Sequence, residues 1–354
     1  MIRVLHVHCE FVPQNSGVAR HMAGLCRALV RRGDVIPTIL APGPHGPGPH
    51  EYPVVEGGWG QLAARIRAAD LVHAHGSRTM ISAAALRLAR RLGKPTVFTP
   101  HCYYQDGGRL HRLAKRLWDR GVERGTIAAA DAVVLLHDQW RAALAEMGLA
   151  PRRVAVIPNC IDAEALRARL ERVPARRLSG DPALLSIGRL APVKRLGDVV
   201  AALARPELAQ AHLHIVGRGS EAERLRTQAD QLGVGGRVHL LGGLDDDEAA
   251  ALMRGADAMV LASGREGLPT VMLESLAAGI PIAVSDIEGT RVVAEGVGWP
   301  HLFPVGDDAA MAVCLRNCLA QPVPPAVVQS VLRQFSWQGR ADDMAALYHD
   351  LVGR

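Results

Sequence analysis

Short, continuous apolar runs alternate with amphipathic stretches along the whole chain. In the first half the runs are IRVLHVH, DVIPTILA, LVHAH, PTVFTPH, AVVLLH and RVAVIPN. In the second they are ALLSIGRL, HLHIVGRG, RVHLLGG, AMVLASG and PIAVSD. Between them lie segments of helical period such as VARHMAGLCRALVRRG and RTMISAAALRLARRLG. A strand covered by helices on both faces needs no polar alternation, so this pattern predicts parallel sheets built from βαβ units. Two such series predict an α/β protein of two doubly wound, Rossmann-like domains, 1–165 and 183–332, facing a central cleft. Residues 166–182 (LRARLERVPARRLSGDP) are Arg-rich and weakly periodic and read as a linker. The tail, 333–354, reads as an amphipathic helix that packs back toward the first domain. The stretch 42–50, PGPHGPGPH, reads as a loop. In open α/β sheets ligands gather at the carboxyl ends of the strands, which directs attention to the cleft between the domains.

Composition narrows the class. A chain of 354 residues is long for one core and comfortable for two domains. No apolar run approaches 18 residues, so no membrane span is expected. The N-terminal MIRVLHVHCEFVP has the short apolar run of a buried strand and lacks the longer core of a signal peptide. Six cysteines without a CxxC pair read as reduced thiols, consistent with a cytoplasmic location. The net charge of +6 is unevenly spread: residues 1–178 carry 26 Lys+Arg against 14 Asp+Glu, while the remainder is acidic. An acidic partner such as a membrane surface is one reading. A genome that writes Arg for Lys, here 38 against three, is the other. With 4% aromatic residues and no matching motif, nucleic acid is not an expected partner.

The chemistry gathers in the strand-end loops of the second half. GRLAPVK places Gly188, Arg189 and Lys194 after one strand. The guanidinium and ammonium suit a diphosphate, though alone either could be solvated surface. SGREGLPTVMLESLAAG (263–279) follows another strand, and Pro269 marks the start of a helix there. The backbone N–H groups of Gly267, Leu268 and Thr270 would face an anion at that helix end. Glu266 just outside it is unwelcome beside phosphate unless it binds hydroxyls, and Glu274 lies one turn further in. Two carboxylates for two polyols with phosphates between them describe a nucleotide-sugar site. The bland alternative is a helix-start acid and a surface glutamate.

These pieces, with RVHLLGGL, HLHIVGRGSEAERL and the terminal FSW, resemble the family 4 retaining glycosyltransferases of the GT-B fold over nearly the whole chain. The resemblance implies that Glu266 holds the donor sugar, Glu274 the ribose, and Arg189 and Lys194 the diphosphate. It puts Gly242 and Gly243 near the base and Gly217 near the donor. NSGVARHMAG resembles the family's first glycine-rich turn, with Gly17 and Val18 approaching the phosphates. Ser16 stands where a second glycine is usual. His101, in PTVFTPHCYY, falls beside the reacting anomeric centre. The implied catalytic set is Glu266, His101, Arg189 and Lys194, with no cofactor and no divalent metal, and a UDP- or GDP-sugar as donor. The acceptor would be a glycan or lipid-linked hydroxyl in cell-surface polysaccharide, lipopolysaccharide or glycolipid synthesis. A nucleotide-sugar epimerase and a non-catalytic nucleotide-sugar-binding subunit remain as alternatives.

Two further stretches carry expectations. His73 and His75 are expected on opposite sides of their strand, as are His212 and His214, so neither pair is read as a metal site. GGRLHRLAKRLWDRGVERG (107–125) sets Leu110, Leu113, Leu117 and Trp118 beside Arg112, Lys115, Arg116 and Arg120. It reads either as a basic helix resting on an anionic membrane or as a helix packed on its own sheet.

Overall fold

The computed structural model describes residues 1–11, 17–42, 51–101, 103 and 109–353, without the side chains at 109, 111 and 112. Ser16, Cys102 and nearly all of the Pro/Gly loop therefore lie outside the described residues. The chain divides into two units. Met1–Cys160 and Trp337–Arg354 form one, and Ile161–Ser336 the other.

The first unit holds β1 (Ile2–Val7), β2 (Val35–Ala41), β3 (Val54–Glu56), β4 (Leu71–His75), β5 (Thr96–Thr99), β6 (Ala132–Leu135) and β7 (Val154–Val156). All pair in parallel, in the order β3-β2-β1-β4-β5-β6-β7. The order reverses between β1 and β4, which is the switch point. One face of this pair, through Ile2, Val4 and Leu71, shares a core with helices Gly17–Arg32 and Trp337–Val352. The other face, through Leu5, Val7 and Val72, packs with helices Trp59–Ala68 and Met80–Arg91. The terminal helix is anchored by Trp337, fully buried over Gly24. A Cβ at Gly24 would stand 2.5 Å from the indole, so a larger residue there would displace the tryptophan. Pro37 sits within β2 at no cost. Ile39 N donates toward β3, so the N–H that Pro37 lacks would face the same side, before β3 begins pairing.

The second unit holds β8 (Ala183–Ile187), β9 (His212–Val216), β10 (Val238–Gly242), β11 (Ala258–Leu261), β12 (Ile282–Ser285) and β13 (Leu302–Phe303). They too are parallel, in the order β10-β9-β8-β11-β12-β13, with the switch between β8 and β11.

Two differences from the sequence reading have physical causes. Residues expected as a linker are instead part of the second unit. Helix Ala163–Arg172 is capped by the Asp162 carboxylate on Ala165 N, and Arg169 and Arg172 pair with Asp247. Arg176 N donates to Ala251 O at 2.9 Å, and a Cβ on Gly255 would collide with Arg176 O. None of that helix is buried, so charge pairs rather than an apolar stripe hold it, and hydrophobic periodicity is silent there. The short edge strands β3 and β13, three and two residues long, were not expected, because so few residues carry no period.

Candidate active site

In the second unit the loops after β8 and β11 meet at the switch point. Lys194 Nζ donates to Glu266 Oε1 at 2.5 Å, and Ser263 Oγ donates to the same oxygen at 2.6 Å. Both charged side chains are largely buried, at 21% and 9% exposure. The backbones are tied as well, Gly264 N to Val193 O at 2.8 Å. Beneath them Ser285 Oγ donates to Ser263 O, and Thr290 Oγ1 donates to Ser285 O. Gly289 lets its helix close on the loop, since a Cβ there would stand 2.8 Å from the carbonyls of Glu266 and Gly267. Helix Thr270–Ala277 begins directly after Pro269, which takes the cap position rather than the first turn. Proline has no polar side chain to cap with, and Pro269 makes no side-chain cap hydrogen bond. Glu274 is half-buried one turn along, on the face of Thr270.

The glycine turns line the neighbouring strand ends. Gly217 has φ +146°, and a Cβ on it would fall 1.8 Å from Gly188 O. Its N–H donates to Gly242 O at 2.7 Å, and Gly242 is left-handed at φ +75°. No other residue fits position 217. Gly243 abuts the Arg218 side chain, and Arg189 is exposed at the rim. The result is a close-packed backbone edge carrying a paired lysine and carboxylate and an exposed guanidinium.

In the first unit the corresponding edge is built from histidines. His73 and His75 do not point apart: residues two apart on a strand share a face, and the rings stack 4.0 Å from each other. His212 and His214 likewise share a side, and each stacks on His239. His6 Nδ1 lies 3.0 Å from His75 Nε2, and His75 Nδ1 lies 3.4 Å from His101 Nε2. Both His73 nitrogens are engaged, by Tyr348 Oη at 2.6 Å and Thr99 Oγ1 at 2.7 Å. His21 Nδ1 donates to Asn159 Oδ1 at 2.8 Å. Burial, reinforced by neighbouring imidazoles, pushes His73, His75 and His101 well down from the ordinary histidine range. Burial brings His6 to about 3 and His21 to about 4, so the cluster is neutral near pH 7. His101 has φ +64°, a conformation costing a non-glycine residue about 1–3 kcal/mol and concentrated at functional sites.

A family model described as Glycosyltransferase Family 4 matches residues 15–165, and one described as Glycosyl transferases group 1 matches residues 169–321. The chain belongs to the family 4, group 1 glycosyltransferases. It is similar to a Mycobacterium tuberculosis glycogen synthase, 29% identical over 98% of this chain and 94% of that one. A 2-deoxystreptamine glucosyltransferase of Streptomyces kanamyceticus is 29% identical over 72% of this chain and 70% of its own. Among solved structures, Anabaena HepE in complex with UDP and glucose superposes with a TM-score of 0.76 at 18% identity. That match covers 99% of this chain and all of the other. Sucrose-phosphate synthase from Thermosynechococcus elongatus gives a TM-score of 0.75 at 19% identity, covering both chains fully. The fold of this glycosyltransferase is GT-B.

The structure of the glycosyltransferase unites Lys194 with Glu266 and stacks the turns of Gly188, Gly217 and Gly242. Gly17 opens helix Gly17–Arg32 with nothing within 4 Å of where its Cβ would be, and Val18 is half-buried beside it. Sequence reasoning missed Ser263 and Gly289, whose roles appear only when two loops meet. It also missed Arg78, left-handed at φ +57° after β4. Arg78 holds Asp119 through two 2.8 Å bonds, and its N–H reaches Glu123. Tyr103 Oη donates to Glu123 at 2.9 Å, and burial pushes that carboxyl upward. Asp119 and Glu123 span a π-helical turn, a feature frequent at functional sites. Charged residues inside the helical stretch 107–125 were the available signal.

Proposed function

We propose that this glycosyltransferase transfers a sugar from a nucleoside-diphosphate sugar to an acceptor hydroxyl with retention of anomeric configuration and without a divalent metal. The observation that carries the reading is the Lys194–Glu266 pair, set by glycine turns at the β8/β11 switch point. An ammonium has three donors, so Lys194 keeps protons for a phosphate while orienting Glu266. Glu266, held by Lys194 and Ser263, then accepts from sugar hydroxyls. Arg189 is the second cation for the diphosphate, and the first turn of helix Thr270–Ala277 adds its dipole. Glu274 takes the ribose hydroxyls, the turn at Gly242 and Gly243 the base, and the turn at Gly17 and Val18 approaches the phosphates. His101 is the polar neighbour of the reacting carbon. The two glutamates serve one donor, so no covalent double displacement is invoked. Charge builds on the departing diphosphate, and catalysis consists of positioning and stabilising it. The phosphate helps take the acceptor proton on the same face.

UDP and UDP-glucose, which HepE binds, make a UDP-sugar the first donor to try, with a GDP-sugar next. A thermal-shift panel of UDP, GDP, ADP and their sugars, with and without EDTA, tests this. A ligand at 100 times its Kd adds about 2.7 kcal/mol to stability. One series stabilising the protein regardless of EDTA is the expected result. No shift with any nucleotide overturns the reading.

The acceptor is assigned to cell-surface glycan or glycolipid synthesis at the inner face of the cytoplasmic membrane. Helix Arg109–Trp118 exposes Leu110 (81%), Leu113 (54%) and Leu117 (61%) near the exposed Arg116. Exposed leucines beside basic residues suit an anionic bilayer. No helix among the described residues is long and apolar enough to cross a membrane, so contact would be peripheral. Flotation with liposomes containing anionic lipid should carry the protein up, and flotation that ignores lipid charge overturns the membrane assignment.

A further inference from the structure

We propose that His21, His75 and His101 form a binding site for a single zinc-class metal ion. Their ligand nitrogens lie within 4.8 Å of one another, and all three residues are buried. Zinc bonds imidazole nitrogen at about 2.0–2.1 Å, so two histidines on one tetrahedral ion stand about 3.3 Å apart, nitrogen to nitrogen. His75 Nδ1 and His101 Nε2 are already 3.4 Å apart.

The hydrogen bonds prepare the third ligand. His21 Nδ1 is the donor to Asn159 Oδ1, which leaves the lone pair on Nε2. That Nε2 is buried and has no hydrogen-bond partner among the described residues. A ring fixed through one nitrogen by an amide or carboxylate oxygen, with the other bare, is how proteins orient histidines on metals. His75 Nε2 is engaged by an imidazole instead, His6 Nδ1 at 3.0 Å, which leaves its Nδ1 on the side of His101. The neighbouring triad of His6, His73 and His75 is the poorer site, because Tyr348 and Thr99 occupy both nitrogens of His73. Three imidazole nitrogens favour zinc over magnesium or calcium, which take oxygen ligands.

The bound ion would clamp His101. Resting on the proposed function, zinc should therefore inhibit a transferase that needs no metal for turnover.

Cobalt(II) is the probe, since its visible bands report a tetrahedral site. The full chain, stripped with EDTA, should bind one Co²⁺ with intense visible absorption, displaced by one equivalent of Zn²⁺. His21→Gln and His101→Gln should each abolish the bands, and Asn159→Ala should weaken binding about 10- to 100-fold. Should His101→Gln fail to fold, His21→Gln carries the test, since His21 lies outside the strained segment. Absence of tetrahedral bands in the wild type, or equal binding by His21→Gln, overturns the proposal. The readout involves no sugar nucleotide, so its failure leaves the transferase reading intact, and the reverse holds.

Discussion

The two units share one strand order from their third strand to their sixth, yet fill their switch points with opposite chemistry. The second unit closes its strand ends with glycines and places one lysine–carboxylate pair on the resulting platform. The first closes the same edge with neutral imidazoles, stacked and bonded to one another. Bare backbone and fixed charge suit a ligand that brings phosphates. A neutral, desolvated cluster carries no charge to hold a phosphate and is suited to positioning. Topology decides where each site lies, and the residue types at the strand ends decide what it can bind.

Glycine substitution separates the two glycine turns most sharply. Gly217→Ala forces a Cβ to within 1.8 Å of a carbonyl and should cost about 4 kcal/mol or more, read as a large drop in the unfolding midpoint. Gly17→Ala meets nothing within 4 Å and should change stability by under about 1 kcal/mol. Equal losses in the two variants would break the comparison.

Next comes the ion pair. Lys194→Ala should lower transfer about 100- to 1,000-fold, the usual effect of removing one charge-stabilising donor, in a protein that still unfolds cooperatively. Glu266→Ala should lose transfer comparably. Rates within tenfold of wild type in both would remove the second unit's platform from the chemistry.

The histidine cluster predicts a pH response larger in the first unit than in the second, where His214, His239 and His301 are lowered by less complete burial. His6 and His21 have folded values of about 3 and about 4, below the ordinary value of 6.5. The unfolded chain therefore takes up more protons than the folded one below pH 6.5. Their stability contribution is complete above that pH and declines as the pH falls toward 4. Each histidine kept neutral adds a slope of about 1.4 kcal/mol per pH unit. Hydrogen exchange in EDTA at pH 7 and pH 5.5 should show the first unit losing protection more than the second. Parallel loss in both would show that the cluster does not set the response.

The smallest effect refines the second unit alone. Asp245 accepts from Glu248 N while Glu248 accepts from Asp245 N, a reciprocal cap on helix Asp246–Gly255. Asp245→Ala should cost about 1 kcal/mol in thermal unfolding without changing donor affinity. A shifted nucleotide affinity would mean that the cap is coupled to the donor platform.

What was legible in the sequence follows a physical rule. Continuous apolar runs such as LVHAH and AMVLASG marked buried strands, because a strand covered on both faces has no polar alternation to obscure it. The motif around Glu266 and Glu274 was readable because its spacing lies within one loop and one helix turn. The helix at Ala163–Arg172 was not, since arginine–aspartate pairs with residues some 80 positions away hold it and leave no local period.

The two-unit parallel architecture, the family, and the residues at the strand ends of the second unit can all be read along the chain. Those depend on periodicity and short spacing, which local order preserves. The folded chain is needed to see that Lys194 meets Glu266 72 residues away, that Ser263 completes the contact, and that Gly217 must be glycine. It alone brought His21, His75 and His101 together from one helix and two strand ends. Such convergence depends on strand order and register, which no window along the chain contains.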